Sequence, residues 1–363
     1  MPHRTFVRPG TLVTLSGSLW HAACADRDGG PYGDLAPPDD NGLALPHGFT
    51  GRVVARSGHR VAGLTWHSAP AGGACLPHPD PGDGGWIYVS NSNVPLVGGV
   101  SALQFAPDGA VRAAYRILSG ANLNRAGGAT PWHTWLSCEE TARGRVFECD
   151  PYGRRAALPR LAMGRFRHEA VAIDDQRQVV YLTEDEPDGC FYRFRPEDWG
   201  DLTTGTLEVL VVHRDRALWR EVPHPAALAE PTRDQVPGAM RFDRGRDCHY
   251  VAGLCYFETK GDSRIWAYDA VNETLTVIYD AAHSGSVVRA GDMYLAEDVM
   301  EISTITPDGA VAPFARIYGH DRSELAGLAF SPYGDRLYFS SQRGMRGAGS
   351  AGITYEVSGP FRA

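Results

Sequence analysis

Trp86-Ile87-Tyr88-Val89-Ser90-Asn91 is the first of six stretches built alike: an aromatic residue near the end of a strand-like run, followed three and four positions later by residues able to hold a metal or move a proton. The others are Thr134-Trp135-Leu136-Ser137-Cys138-Glu139, Val180-Tyr181-Leu182-Thr183-Glu184-Asp185, Cys255-Tyr256-Phe257-Glu258-Thr259-Lys260, Met293-Tyr294-Leu295-Ala296-Glu297-Asp298 and Leu337-Tyr338-Phe339-Ser340-Ser341-Gln342. Their aromatic anchors recur about every 40 to 50 residues, with one longer interval, which is the period of propeller blades of roughly four strands. The pattern predicts an all-β fold, a β-propeller with one such segment on an equivalent strand of each blade. The polar pairs then gather in a ring at one end of the central channel, where they can bind cations.

Forty-two Gly and 25 Pro spread along 363 residues suit many short strands and turns. Runs such as Arg52-Val53-Val54-Ala55-Arg56 and Leu207-Glu208-Val209-Leu210-Val211-Val212 alternate with Asp-Gly and Tyr-Gly turns, an antiparallel signature. Residues 1–45, rich in Gly, Pro and Asp, read as an irregular lead-in on the surface, and 46–363 as a single propeller domain. Two short helical fragments are expected, at 226–230 and 196–199. Both fall in the long interval between Tyr181 and Tyr256, which reads as an insertion between blades.

A formal net charge of −8 without clustered Lys or Arg argues against a nucleic-acid surface. No apolar stretch is long enough to span a bilayer, so no membrane partner is expected. The start of the chain has neither an apolar core nor a twin arginine, and the seven cysteines (24, 75, 138, 149, 190, 248 and 255) show no C-x-x-C pair. Reduced thiols in a cytoplasm are the expectation. No G-x-S-x-G elbow accompanies Ser137, Ser284 or Ser341, and no phosphate-cradling glycine loop is present.

A weaker repeat lies ten to fourteen residues ahead of the anchors: Asn124 and Arg125, His168 and Glu169, Arg246, His283, and Glu324. Each precedes a short apolar run suited to an inner strand, so its polar head would face the channel mouth. Adjacent acids on one strand point to opposite faces. Glu184 and Glu297 are therefore expected to face the axis, with Asp185 and Asp298 bracing turns or reaching a neighbouring ion. Carboxylates suit hard cations such as calcium, and the Cys138 thiolate favours a softer transition metal.

The segments Trp135-Leu136-Ser137-Cys138-Glu139-Glu140, Arg165-Phe166-Arg167-His168-Glu169-Ala170, Tyr181-Leu182-Thr183-Glu184-Asp185 and Glu324-Leu325-Ala326-Gly327-Leu328-Ala329-Phe330 fall in one order along the chain. In that order they resemble the PhoX-type alkaline phosphatases, from about Pro46 to the C-terminus. The resemblance implies a six-bladed propeller whose mouth holds calcium and iron ions that bind phosphate. It implies Cys138 and Glu169 as iron ligands and Glu139, Glu184, Glu297 and Glu324 as further metal ligands. Against the family pattern, Asn93 and Arg246 stand where relatives carry Glu, His283 lies where they carry Asp, and His133 replaces a Gly.

Two enzymatic readings follow. In one, a metal-dependent hydrolase acts on phosphoesters and Arg246 binds the anionic small-molecule substrate. In the other, a repurposed biosynthetic enzyme uses His133, His249, His283 and Arg246 for acid–base chemistry with few or no metals. A non-catalytic binding propeller is the third reading. The sequence leaves the oligomeric state open.

Overall fold

The computed structural model describes residues 13–16, 30–214, 216–280, 293–297, 300–306 and 311–362. Each anchor stretch is the second strand of a separate twisted sheet, and its aromatic ring is fully enclosed (Tyr88, Trp135, Tyr181, Tyr256, Tyr294 and Tyr338). Blade 1 comprises Pro70–Pro77, Trp86–Ser92, Gly98–Phe105 and Val111–Ala121. Blade 2 comprises Asn124–Ala129, Trp135–Glu139, Val146–Cys149 and Leu158–Pro159. Blade 3 has five strands, starting at His168–Asp174 and Val179–Glu184 and ending at Arg216–Glu221. Blade 4 runs from Gly245–Val251 through Leu254–Thr259 and Arg264–Asp269 to Thr274–Asp280.

Blades 5 and 6 borrow strands from the start of the chain. In blade 5, Val13–Ser16 pairs parallel to Met293–Glu297, and Leu43–Ala44 pairs with Val311–Ile317 at the other edge. Blade 6 comprises Leu325–Phe330, Arg336–Ser341 and Ile353–Ser358, and Thr50–Arg56 adds its outer strand. The innermost strands touch in sequence around one axis, blade 6 against blade 1, so the fold is a closed six-bladed β-propeller. Leu43, Ala44 and Leu45 are buried in the wall of this ring, so the lead-in packs into the core before residue 46.

Neither expected helix forms. The segment 226–230 is a run of turns framed by Pro223, Pro225 and Pro231, with Ala227 at φ 47°. Five residues between prolines cannot repay helix nucleation. Residues 196–198 end the strand Phe191–Asp198, whose pairing with Asp201–His213 extends blade 3. The long interval is thus filled by the 13-residue strand Asp201–His213, a fifth strand Arg216–Glu221 and an irregular return with one 3₁₀ turn at Thr232–Asp234.

The detail that positions the site is a repeated defect in the inner strands. The ladder between first and second strands slips between Pro70 and Gly73, Asn124 and Gly127, His168 and Val171, and Gly245 and Cys248. Blade 6 slips one pair deeper, between Ala326 and Ala329. Such bulges bend a strand and re-aim the extra residue. The first residue of the bulge in blades 1 to 4 is Ala71, Arg125, Glu169 and Arg246. Close packing at the axis excludes side chains elsewhere: a Cβ on Gly127 would lie 1.9 Å from the Leu136 carbonyl oxygen, and one on Gly72 2.5 Å from the Ala126 Cα.

Candidate active site at the channel mouth

The mouth is built from two rungs. The residue that leaves each second strand donates its backbone N–H to the carbonyl just before the inner strand. Asn93 bonds Ala69 at 2.9 Å, Glu140 bonds Leu123 at 3.0 Å, Asp185 bonds Arg167 at 3.1 Å, Lys260 bonds Arg244 at 2.9 Å and Gln342 bonds Glu324 at 3.0 Å. Five blades therefore present Asn93, Glu140, Asp185, Lys260 and Gln342 at equivalent places. The bulges supply the second rung, with Arg125, Glu169 and Arg246 from blades 2, 3 and 4.

Carboxylates and guanidinium groups interleave there. Oxygens of Glu140, Glu169 and Asp185 lie within 4.8 Å of one another. Glu169 is 2% exposed, and its Oε1 faces Arg125 Nε at 3.4 Å and Arg246 Nε at 4.0 Å. Its other oxygen, Oε2, is buried with no hydrogen-bond partner among the described residues, as is the Arg246 Nε. Burial, then the neighbouring Glu140, pushes Glu169 upward against the pull of the two arginines, and burial likewise raises Glu140. Arg125 spans blade 1 to grip Glu324 of blade 6 with two bonds, Nη1–Oε1 at 2.5 Å and Nη2–Oε2 at 3.0 Å, and Arg343 adds a third at 3.2 Å. Burial opposes ionisation of Glu324, but Arg125 outweighs it and holds this carboxyl far below its usual range.

Residues expected from the sequence divide between this cluster and other places. Glu169, Glu324 and Arg246 lie in it. Glu139 and Glu184 do not. Glu139 accepts from Asn122 N–H at 2.9 Å and from Arg145 Nε at 2.9 Å, bracing the turn beyond its strand. Glu184 accepts from Cys190 N–H at 3.0 Å, Tyr192 Oη at 2.9 Å and Arg233 Nη1 at 3.2 Å, which ties down the return from blade 3 to blade 4. The Glu–Asp assignment is thus corrected for this blade. Glu184 is the last paired residue of the ladder, opposite His168, and Asp185, outside the pleat, is the one that meets Glu140 and Glu169.

Cys138 is fully buried in an apolar layer with Leu136, Val146 and Phe166, and burial and Glu169 push its thiol well upward. It stays outside the close carboxylate group. A hard cation fits Glu140, Glu169 and Asp185 through one carboxyl oxygen from each and the orphaned Glu169 Oε2, and its charge would favour the ionised carboxylates. A metal bound there would itself remove the thiol proton, so the raised Cys138 thiol, with Glu169, Asp247 and Glu139 as its charged neighbours, describes the metal-free protein. The described cysteines (75, 138, 149, 190, 248 and 255) are free thiols.

The expectation that the histidines reach the mouth is corrected for His133 and His249. His133 is exposed at the tip of the hairpin joining Asn124–Ala129 to Trp135–Glu139, at φ 62°. That tip is the opposite end of the blade, roughly 15 Å along the strand from Arg125. His249 pairs with Tyr256 deeper in the channel, about 10 Å past Arg246. Its Nε2 is buried without a partner, and burial lowers its pKa to about 4. His283 and Asp298 lie outside the described residues. The strand ending at Glu297 is placed on blade 5, but its side chain lies outside the described part.

Sequence reasoning passed over Glu140 and Arg343 as site residues and gave Asp185 only a secondary place, bracing a turn or reaching a neighbouring ion. The counting from the aromatic anchors hides them. Blades 1 and 2 have one residue more between anchor and mouth than blades 3, 4 and 6, as the terminal pairs at Ser92, Glu139, Glu184, Thr259 and Ser341 show.

A closed propeller with an acid-and-guanidinium cluster at one channel mouth defines a class of ligand-binding propellers, many of them enzymes. A family model described as alkaline phosphatase PhoX matches residues 98–147 and 142–289, more than half of the chain, and the protein belongs to that family. The structure is similar to that of Pseudomonas fluorescens PhoX in complex with vanadate, a transition state analogue. The TM-score is 0.69 at 16% identity, covering 90% of this chain and 97% of that one. A gluconolactonase from Xanthomonas campestris has a TM-score of 0.50 at 12% identity, covering 91% of this chain and 99% of that one. No curated protein matches by sequence.

Proposed function

We propose that this protein hydrolyses phosphoesters at the channel mouth, using one hard divalent cation, with calcium the first candidate. The observation that carries the reading is the orphaned Glu169 Oε2, buried beside Glu140 and Asp185 and backed by two guanidinium groups. Glu140, Glu169 and Asp185 would hold the ion, and a bound divalent cation supplies Lewis-acid polarisation of a phosphoryl oxygen. The chain's own cations do the rest. Arg246, whose Nε has no hydrogen-bond partner among the described residues, offers a donor to a phosphoryl oxygen, while Arg125, locked on Glu324, fixes the orientation of Glu169. Family membership supports the reaction class. The histidine-based reading is not favoured, since His133 is remote from the mouth.

Phosphate release from p-nitrophenyl phosphate, with calcium and with chelator, tests the proposal. Calcium-dependent turnover is expected, with a fall of at least about 100-fold in Glu169→Gln. A folded, calcium-saturated protein that releases no phosphate from mono- or diesters would overturn it.

A further inference from the structure

The half of the mouth formed by blades 6 and 1 differs chemically from the half that carries the acids. Gln342 and Asn93 hold the rung positions there, and each is fixed through its backbone bond to Glu324 or Ala69. Gln342 is 2% exposed, and its Nε2 has no hydrogen-bond partner among the described residues; neither has the buried Nδ2 of Asn93. Their main chains come together through Ala69 and Pro70 where blades 6 and 1 meet. A Cβ on Gly352 would lie 2.3 Å from the Pro70 ring and 2.7 Å from the Gln342 carbonyl oxygen, and Ala69 accepts the Asn93 N–H.

Buried amide donors are ordinarily satisfied, and two left unpaired by the described residues call for acceptors from water or from a ligand that displaces it. The charge on this side is already balanced. Both cations near it, Arg125 and Arg343, are bonded to Glu324. What the rim lacks is therefore neutral oxygen acceptors rather than another anion.

We infer that Asn93 and Gln342 form a subsite for the leaving group of the substrate, and that this group is polyhydroxylated and uncharged, as in a sugar or polyol phosphate. The inference rests on the proposed phosphoester reading for the location of the phosphoryl group. With the phosphoryl on the Glu169–Arg246 side, the ester oxygen points a hydroxyl-rich group toward blades 6 and 1. Hydroxyl oxygens accept from the two amides. An alkyl chain of equal length leaves both donors unpaired, and discrimination by such unpaired donors is steep.

The test compares glucose 6-phosphate with hexyl phosphate on the calcium-loaded protein, reading binding by calorimetry and phosphate release separately. The wild type is expected to bind the sugar ester about 10- to 100-fold more tightly. Gln342→Met and Asn93→Leu keep side-chain volume, and each should lower that ratio toward one while leaving hexyl phosphate affinity nearly unchanged. A wild-type ratio near one, or variants that weaken both ligands in parallel, would overturn the subsite. Selective binding without phosphate release would keep the subsite and reject the hydrolase, and unselective turnover would do the reverse.

Discussion

Replacing Glu140 by Gln should make the cation-free protein more stable and abolish its response to calcium. Without an ion, Glu140 shares a space of 4.8 Å with Glu169 and Asp185. Two unit charges at that separation repel by about 3.5 kcal/mol at an effective dielectric of 20. Glu140 enters two such pairs, and its attraction to Arg125 and the proton uptake that its raised pKa implies offset most of the sum. A net gain of about 1–2 kcal/mol remains on removing the charge. With a melting entropy of about 2.1 cal/mol/K per residue, the chain gains roughly 2 °C in Tm. Calcium at 100 times its Kd adds about 2.7 kcal/mol to the wild type, or about 3–4 °C, and should add almost nothing to the variant. Scanning calorimetry of both proteins, in chelator and in calcium, reads all four values. A variant less stable than wild type in chelator that still rises with calcium would refute both the repulsion and the ion site.

Three further outcomes are expected. Glu324→Gln removes the carboxylate that holds Arg125 by two bonds, leaving this buried cation the more distant Glu169 at 3.4 Å, and should cost about 3 kcal/mol by urea unfolding; a loss under about 1 kcal/mol would mean that the span across blade 1 does not form in solution. Trp135→Ala empties an enclosed anchor whose Nε1 donates to Asn91 at 2.9 Å, and should cost about 3–5 kcal/mol in the same assay. His67, held at about 3 by burial against an ordinary 6.5, stays neutral in the fold while the unfolded chain takes up its proton. Its contribution is therefore intact above pH 6.5 and is lost progressively as pH falls toward 3. His67→Gln should flatten the slope of stability against pH by up to one proton in that window; an unchanged slope would place His67 in solvent.

The fold was legible because its signal is global. Six enclosed aromatics recur at blade spacing, and no competing period fits them. The ring of donors was legible only in outline. Which residue faces the axis depends on where a ladder ends and where a bulge falls, and a shift of one residue exchanges the faces of a strand. The Glu184–Asp185 pair shows the effect: sequence alternation applies to residues inside the pleat, and Asp185 is already outside it. Arg125 and Glu324 meet across a whole blade at a sequence separation of 199, which no local pattern encodes. The histidines misled for a related reason, since nearness in sequence to the Cys138 strand places His133 at that strand's start, away from its mouth end.

The outer strand of blade 6 comes from Thr50–Arg56, yet it completes a sheet whose other members end at Ser358. A ribosome must therefore have passed Ser358 before this early segment can find its partner, and until then the circle of blades stays open. The opposed charges at the mouth come from opposite sides of that seam, Arg125 from the second blade and Glu324 from the last. A partly synthesised or C-terminally clipped chain would leave each of these charges facing water instead of the other. Assembly of the reactive surface is in this way a late event, and any chemistry it performs belongs only to molecules that have finished folding.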